Sequence, residues 1–124
     1  MTGVLDSAVI IDLLRGYPPA LIWISTERNA GVTSIGWLEV IEGAKNRKAQ
    51  REVLRILRRF ERIDTVREDY DWAILQCLKL KLSHNVGMMD CLMAAISHRL
   101  QLPFYSPNLR HFQPLLGDLA VRPY

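Results

Sequence analysis

The chain has 124 residues, of which 49% are apolar and 23% charged, and its net charge at neutral pH is +3. This length fits one domain with its own core, and the apolar content excludes an intrinsically disordered chain. No run approaches the roughly 20 apolar residues of a membrane span, and no secretory signal is visible at the N-terminus. We therefore expect a single cytoplasmic domain over residues 1–124.

The N-terminal part predicts two short strands separated by two helices. Residues 3–5 predict a buried strand that ends at Asp6, and residues 8–14 predict a helix directly after it. A break with one glycine and two prolines follows, and a second helix over residues 19–29 has proline in its first turn. Residues 32–34 predict the second strand.

The middle of the chain predicts three helices and one strand. Residues 36–44 and 47–61 predict the first two helices, and the second of these is strongly basic. Its apolar positions repeat every three to four residues, whereas its other face carries arginine and lysine. Such a face either guides nucleic-acid phosphates or is simply solvated, and the sequence leaves both open. Residues 63–65 predict a third strand, and the Thr-x-x-Glu pattern from Thr65 predicts the cap of a helix that ends near Leu82.

The C-terminal part predicts one more helix and two more strands. The helix covers residues 89–100, and the strands cover residues 103–106 and 119–121. All the predicted strands are short and apolar, without the polar alternation of a half-exposed sheet. This pattern predicts an α/β domain with a short parallel sheet of four to five strands flanked by helices.

Two cysteines, Cys77 and Cys91, are too far apart in sequence for a CxxC motif and have no histidine at zinc-like spacing. We expect both to be buried free thiols, because unpaired cysteine is among the most buried residue types. This expectation suits a reducing cytoplasm.

Polar residues follow the predicted strands where a parallel sheet binds its ligands. Ligands of open parallel sheets bind outside the carboxyl ends of the strands. Asp6 follows the first strand, and Asn108 lies two residues past Ser106 at the end of a late strand. Glu39 and Asp90 are acids in mainly apolar helices near other strand ends.

Each of these acids also has a purely structural interpretation. Asp6 and Asp90 both lie where an aspartate commonly caps a helix. Glu39 has a rival in Glu42, three residues later on the same helix face. A cluster of bare carboxylates is repulsive. The acids together therefore indicate a cation-binding site more strongly than any one of them alone.

Hard cations such as Mg²⁺ or Mn²⁺ relieve this repulsion and prefer oxygen ligands. A cation held in this way activates water and stabilises charge on a phosphate oxygen, so the cluster points to phosphodiester hydrolysis. Without the metal, at least one of the carboxyls should have a raised pKa.

Four segments, in order along nearly the whole chain, resemble the PIN-domain family, and in particular its VapC-like toxins. Residues 5–15, LDSAVIIDLLR, resemble the family's LDTsvlIdlLr. Residues 37–44, WLEVIEGA, resemble aElleGa, and residues 90–95, DCLMAA, resemble DalIAA. Residues 106–112, SPNLRHF, resemble TrNtrdF. Such proteins cut RNA with Mg²⁺ or Mn²⁺, form dimers and are neutralised by a cognate antitoxin, and the resemblance implies the same here.

The resemblance implies that Asp6, Glu39 and Asp90 bind the metal and act in catalysis, with Asn108 at a fourth catalytic position. The spacing to Gly43 selects Glu39 over Glu42. The residues expected to contact the substrate lie beside these motifs and are Ser7, Arg15, Ser106 and Arg110.

Three positions depart from the family pattern. Ser7 and Ser106 stand where threonine is more usual, and both keep the hydroxyl. His111 stands where many members carry aspartate. These departures make the fourth catalytic position the least constrained.

Three other functions stay open from the residues. An inert PIN fold that only binds RNA or protein would not need clustered acids. A metal-free ribonuclease would need two of His84, His98 and His111 to meet across one phosphate. A phosphotransfer or phosphatase domain would call for a lysine near the late strand, and residues 106–111 contain none.

Overall fold

The computed structural model describes residues 1–27 and 29–124. Its described part contains one five-stranded parallel sheet with the strand order β3-β2-β1-β4-β5. The strands are β1 (Gly3–Leu5), β2 (Ala30–Thr33), β3 (Glu61–Ile63), β4 (Phe104–Tyr105) and β5 (Ala120–Val121). The helices are α1 (Ser7–Leu14), α2 (Pro18–Ile24), α3 (Ser34–Glu42), α4 (Arg47–Leu57), α5 (Arg67–His84), α6 (Met88–Leu100) and α7 (Leu109–Leu116), and a 3₁₀ turn covers Gly117–Leu119.

Helices cover both faces of the sheet, which confirms the predicted architecture. Val4 and Leu5 in the central strand are both fully buried, but they belong to different core clusters. Val4 packs with residues of α6 and α7, whereas Leu5 packs with residues of α1 and α4. Successive side chains of a strand point to opposite faces, so a central strand without polar residues requires a core on each side.

The order of the strands creates a crevice beside the end of β1. The chain leaves β1 towards β2 on one side and returns as β4 on the other, and both pairings are parallel. Leu5 pairs with Val32 and with Tyr105, and the Asp6 amide continues the ladder by donating to the Tyr105 carbonyl at 2.9 Å. The carboxyl ends of the three strands therefore meet at a topological switch point.

The predicted end of the second helix is wrong. Helix α2 ends at Ile24 rather than near Asn29, and Ala30 begins β2. The hydroxyls of Ser25 and Thr26 donate to carbonyls three residues earlier, at 2.6 and 2.7 Å. These bonds end the helix because they occupy carbonyls that the next helical turn would use. Arg28 falls inside the predicted helix and outside the described residues.

The basic helix is shorter than predicted, and the following strand begins earlier. Helix α4 ends at Leu57, and tight backbone bonds from Arg59 and Phe60 turn the chain into β3. The strand covers Glu61–Ile63 instead of residues 63–65, because Ile63 is the buried side chain that pairs beside Thr33.

Helix α7 is absent from the sequence prediction. Its polar start and the internal Pro114 favour a loop, since proline removes one helical hydrogen bond. Burial of Phe112, Leu115 and Leu116 against the core compensates. The ring centroids of Phe112 and Phe104 are 4.4 Å apart.

The predicted cap of α5 is displaced by one residue. The Asp69 carboxylate, rather than that of Glu68, accepts a hydrogen bond from the Val66 amide at 2.9 Å. Asp69 is 1% exposed, and Arg99 neutralises it through two hydrogen bonds of 2.9 and 3.1 Å. This pair fixes the start of α5 to the last turns of α6.

Among residues 1–27 and 29–124, no single helix is both long and apolar enough to cross a membrane. Helices α1 and α2 reach that length and composition only together, and the chain bends by 113° between them.

Candidate active site

Asp6 lies at the switch point and is almost completely buried. It occupies the N-cap position of α1, but its side chain makes no capping hydrogen bond. Its carboxylate instead accepts a hydrogen bond of 2.7 Å from the Ser106 hydroxyl, and that hydroxyl accepts one of 2.9 Å from the Asn108 amide. Asp6 is 4% exposed and Ser106 is fully buried. Two strand ends that are adjacent only in the fold are thus linked through one carboxylate.

Ser7 connects Asp6 to Glu39. The Ser7 hydroxyl lies 3.3 Å from an Asp6 carboxylate oxygen and 3.1 Å from a Glu39 carboxylate oxygen. A serine hydroxyl has one proton, so it donates to only one of these acceptors at a time. Two negative groups therefore share a single donor on the first turn of α1.

Glu39 and Glu42 differ in their surroundings, although they lie on one helix face. Glu39 is half-buried and contacts Ser7, whereas Glu42 is exposed. Burial raises the pKa of Glu39, and the charges of Asp6, Asp90 and Glu42 raise it further. The geometry therefore favours Glu39 over Glu42, as the motif spacing does.

Asp90 lies in the first turn of α6 and faces the same site. Its own pKa is raised mainly by burial, and its charge raises the pKa of both Asp6 and Glu39. The N-cap residue of α6 is Gly87, and the described close polar contact of the Asp90 carboxylate is with His111 at 3.4 Å. The fold therefore brings together three acids that are far apart in the sequence.

All three carboxyls have a raised pKa, which confirms the expectation that at least one would. The expected cause was mutual repulsion, but burial is the largest contribution for each of them. Repulsion from neighbouring acids raises the pKa of Asp6 and Glu39 further. Within the described residues, the Asp6 and Glu39 carboxylates contact serine hydroxyls, and the Ala8 backbone amide also acts to lower the pKa of Asp6.

The remaining predicted site residues lie at the rim. Asn108 is exposed, and its described contact with the site is the backbone hydrogen bond to Ser106. Arg15 is largely exposed, lies 3.8 Å from Asp12 and lines a groove together with Glu39. Arg110 is exposed and lines a second groove beside His111.

His111 approaches the acids more closely than the sequence indicates. Its Nδ1 lies 3.4 Å from an Asp90 carboxylate oxygen, and this contact lowers the pKa of Asp90 against the effect of burial. The sequence marks His111 as a departure from the family pattern and as one of three histidines available for acid–base chemistry, and neither prediction places it beside Asp90. The signal that identifies it is its position three residues after Asn108, one turn along a helix that the sequence prediction misses.

The family profile of the PIN domain matches residues 3–106. The chain belongs to the PIN-domain family. PIN domains are generally nucleases, and the three clustered acids lie on the matched residues. No curated protein matches the chain significantly.

Several solved structures resemble this PIN domain. A toxin–antitoxin complex from Klebsiella pneumoniae is 20% identical, with a TM-score of 0.81 over 99% of this chain and 98% of the other. DNA-bound VapBC from Salmonella typhimurium is 21% identical, with a TM-score of 0.77 over 91% of each chain. FitAcB from Neisseria gonorrhoeae is 20% identical, with a TM-score of 0.75 over 96% and 95%. At these identities the likeness shows the fold.

The donor set of this PIN domain fits a hard divalent cation. Within the described ranges, no three His, Cys, Asp or Glu side chains are close enough to enclose a metal ion by themselves. Mg²⁺ does not need such an enclosure, because it usually keeps several waters and binds one or two carboxylates together with substrate phosphate. Asp6 and Glu39, which lie within 3.3 Å of one hydroxyl, offer that arrangement.

Proposed function

We propose that this PIN domain is the toxin of a toxin–antitoxin pair and hydrolyses RNA phosphodiester bonds with the help of Mg²⁺ or Mn²⁺. The observation that carries the proposal is the group of three partly or fully buried carboxyls at the switch point, all with raised pKa values. Asp6 and Glu39 contact serine hydroxyls rather than cationic groups, and a fold gains no stability from burying acids without cationic partners. Such a group is therefore best explained by a cation that arrives with the substrate.

Asp6, Glu39 and Asp90 would hold the cation. When bound, it lowers the pKa of water and stabilises the charge that develops on a phosphate oxygen. Ser106 orients the Asp6 carboxylate through a hydrogen bond of 2.7 Å, and Ser7 donates to Asp6 or to Glu39 at 3.3 and 3.1 Å. Such bonds to a metal-binding carboxylate fix its geometry before the metal binds.

We assign substrate contacts to the rim of the site. Arg15 and Arg110 lie in separate grooves, the first with Glu39 and the second with His111. Arginine binds phosphate through paired hydrogen bonds, so the two side chains suit the RNA backbone on either side of the cleaved bond. Asn108 is the candidate for the fourth catalytic position, where it would act through a water or a substrate hydroxyl.

We propose the cognate antitoxin and a second copy of the chain as protein partners. The similar structures from Klebsiella and Salmonella are named as a toxin–antitoxin complex and as VapBC. On α2, Trp23 and Ile24 pack against the core, whereas Ile22 is 70% exposed and offers an apolar contact to a partner. A larger apolar surface lies on α5, where Leu78 is 76% exposed.

We propose that the protein is one domain over residues 1–124 and that it acts in the cytoplasm.

The alternative is an inert PIN fold that binds RNA or protein. This alternative is supported by one observation: among the described residues, no three His, Cys, Asp or Glu side chains could hold a metal ion by themselves. An inert binder of RNA would keep carboxylates away from phosphates, because like charges repel. The two functions therefore differ in what happens when the acids are neutralised: a nuclease loses activity, whereas a binder gains affinity.

The test is RNA cleavage by the purified protein in Mg²⁺, with EDTA as the metal-free reference. Asp6→Asn, Glu39→Gln and Asp90→Asn remove one charge each with little change in shape, and we expect each to abolish cleavage. Glu42→Gln is the matched control for Glu39→Gln and should retain most of the activity, because Glu42 is exposed. Circular dichroism checks that all variants are folded. If Asp90→Asn cleaves at the wild-type rate, the metal-nuclease proposal is wrong and the inert binder replaces it.

A further inference from the structure

Cys77 and Cys91 have no part in the proposed reaction, yet their sulfurs are in contact. Cys77 lies on α5 and Cys91 on α6, and the two Sγ atoms are 3.4 Å apart. Both are free thiols. The expectation of two fully buried thiols is therefore only half right, because Cys91 is fully buried whereas Cys77 is partly exposed.

The contact is close to the geometry that a disulfide requires. The S–S distance of a disulfide is about 2.0 Å, so the sulfurs need to approach by about 1.4 Å. Helices α5 and α6 pack side by side, which leaves the two thiols facing each other across the helix interface. Disulfide formation therefore requires a rotation of one cysteine side chain, a small helix shift, or both.

The two thiols differ in access from outside. Cys77 lines an open apolar groove on the α5–α6 surface, together with Tyr70, Ile74 and Met88. Cys91 has no exposed surface. A small oxidant can therefore reach Cys77 first, and Cys91 is placed to react with whatever forms there.

We propose that Cys77 and Cys91 are an oxidation site, at which a small disulfide such as oxidised glutathione closes an intramolecular disulfide that slows the nuclease. Cys77 loses its proton to solvent, attacks one sulfur of the oxidant and releases the first small thiol. Cys91 then attacks the Cys77 sulfur, loses its proton and releases the second small thiol. Two electrons pass from the cysteine pair to the oxidant, which is reduced from one disulfide to two thiols.

The effect on activity follows from the position of Cys91, and this part rests on the proposed function. Cys91 follows Asp90 directly in the first turn of α6. Pulling the Cys91 sulfur towards α5 by about 1 Å moves the Asp90 carboxylate relative to Asp6, and misplacement on this scale costs roughly 10²-fold in rate. The closed form should therefore cleave RNA at least tenfold more slowly.

The experiment compares the full chain after incubation with oxidised glutathione or with dithiothreitol. We expect the oxidised protein to be lighter by two hydrogens in intact-mass analysis, to resist alkylation and to stay monomeric in its covalent structure. Cys91→Ala should stop at a mixed disulfide on Cys77, and Cys77→Ser should not react with the oxidant. A stable mixed disulfide on the wild-type protein, a disulfide-linked dimer, or two thiols that remain alkylatable would each overturn the oxidation site.

RNA cleavage by the same samples tests the second half of the proposal. The rate should fall at least tenfold on oxidation of the wild type and recover with dithiothreitol, and it should not change when Cys77→Ser is incubated with the oxidant. Equal rates of the closed and reduced forms would refute the effect on activity. If the reduced wild type itself does not cleave RNA, the proposed function fails, whereas the mass and alkylation results still decide the oxidation site.

Discussion

Replacing Asp6 with asparagine should make the metal-free protein more stable, although it removes a central residue of the proposed site. Burial raises the pKa of Asp6 above its usual value of 3.8, and the charge of Asp90 raises it further. A carboxyl whose pKa is raised by folding favours the folded state when it is protonated. That contribution is complete below the unfolded pKa and is lost as the pH rises through the folded pKa. As the pH rises through that range, the cost of ionising the buried Asp6 carboxyl destabilises the fold.

The magnitude follows from what asparagine keeps and what it removes. The Asn oxygen can still accept the Ser106 hydroxyl, now 2.7 Å from the Asp6 carboxylate, as a neutral hydrogen bond worth about 1 kcal/mol. The substitution removes the cost of placing a charge at a buried position, a cost that the raised pKa of Asp6 indicates. We expect a net gain of about 1–2 kcal/mol, as is common when a strained functional residue is replaced. For 124 residues, this raises Tm by roughly 3–8 °C.

Thermal unfolding followed by circular dichroism measures this gain in EDTA at pH 7 and again near pH 4. The gain should shrink at the lower pH, where wild-type Asp6 takes up its proton, and it should also shrink in Mg²⁺, which stabilises the wild type by binding. Asp71→Asn, at an exposed position on α5, is the control and should change stability by less than about 0.5 kcal/mol. A lower Tm for Asp6→Asn than for wild type in EDTA at pH 7 would refute the reasoning.

Three further substitutions test other contacts of the fold and the site. Ser7→Ala removes the hydroxyl that two carboxylates share, so calorimetric titration should show Mg²⁺ binding weakened about tenfold. Arg99→Gln leaves the buried Asp69 without its charge partner and should cost about 2–4 kcal/mol of stability in denaturant unfolding. His111→Asp replaces a histidine 3.4 Å from Asp90 with a fourth acid; thermal melts should show a lower Tm in EDTA and a larger rise on adding Mg²⁺.

The sequence predicts the parallel sheet correctly because short, fully apolar segments are a strong indication of buried strands. An apolar strand such as residues 3–5 must be buried on both faces, and it packs between two helical layers. Element ends are predicted poorly where side-chain hydrogen bonds decide them, as the hydroxyls of Ser25 and Thr26 do for α2. Helix α7 is missed because long-range burial of Phe112 outweighs the local effect of Pro114, and no local pattern reports such burial.

For the site, the sequence predicts which acids cluster, but it does not predict which buried acid has a cationic partner. Asp6 and Asp69 are both aspartates at helix N-termini, and both are almost fully buried, at 4% and 1% exposure. Asp69 faces Arg99 in a two-bond ion pair, whereas the Asp6 carboxylate faces the hydroxyls of Ser106 and Ser7. Residue type and helix position cannot separate the two, because the difference lies in partners that are 30 and 100 residues away. Only the fold shows that one buried carboxylate is paired with an arginine of the chain, whereas the other contacts serine hydroxyls.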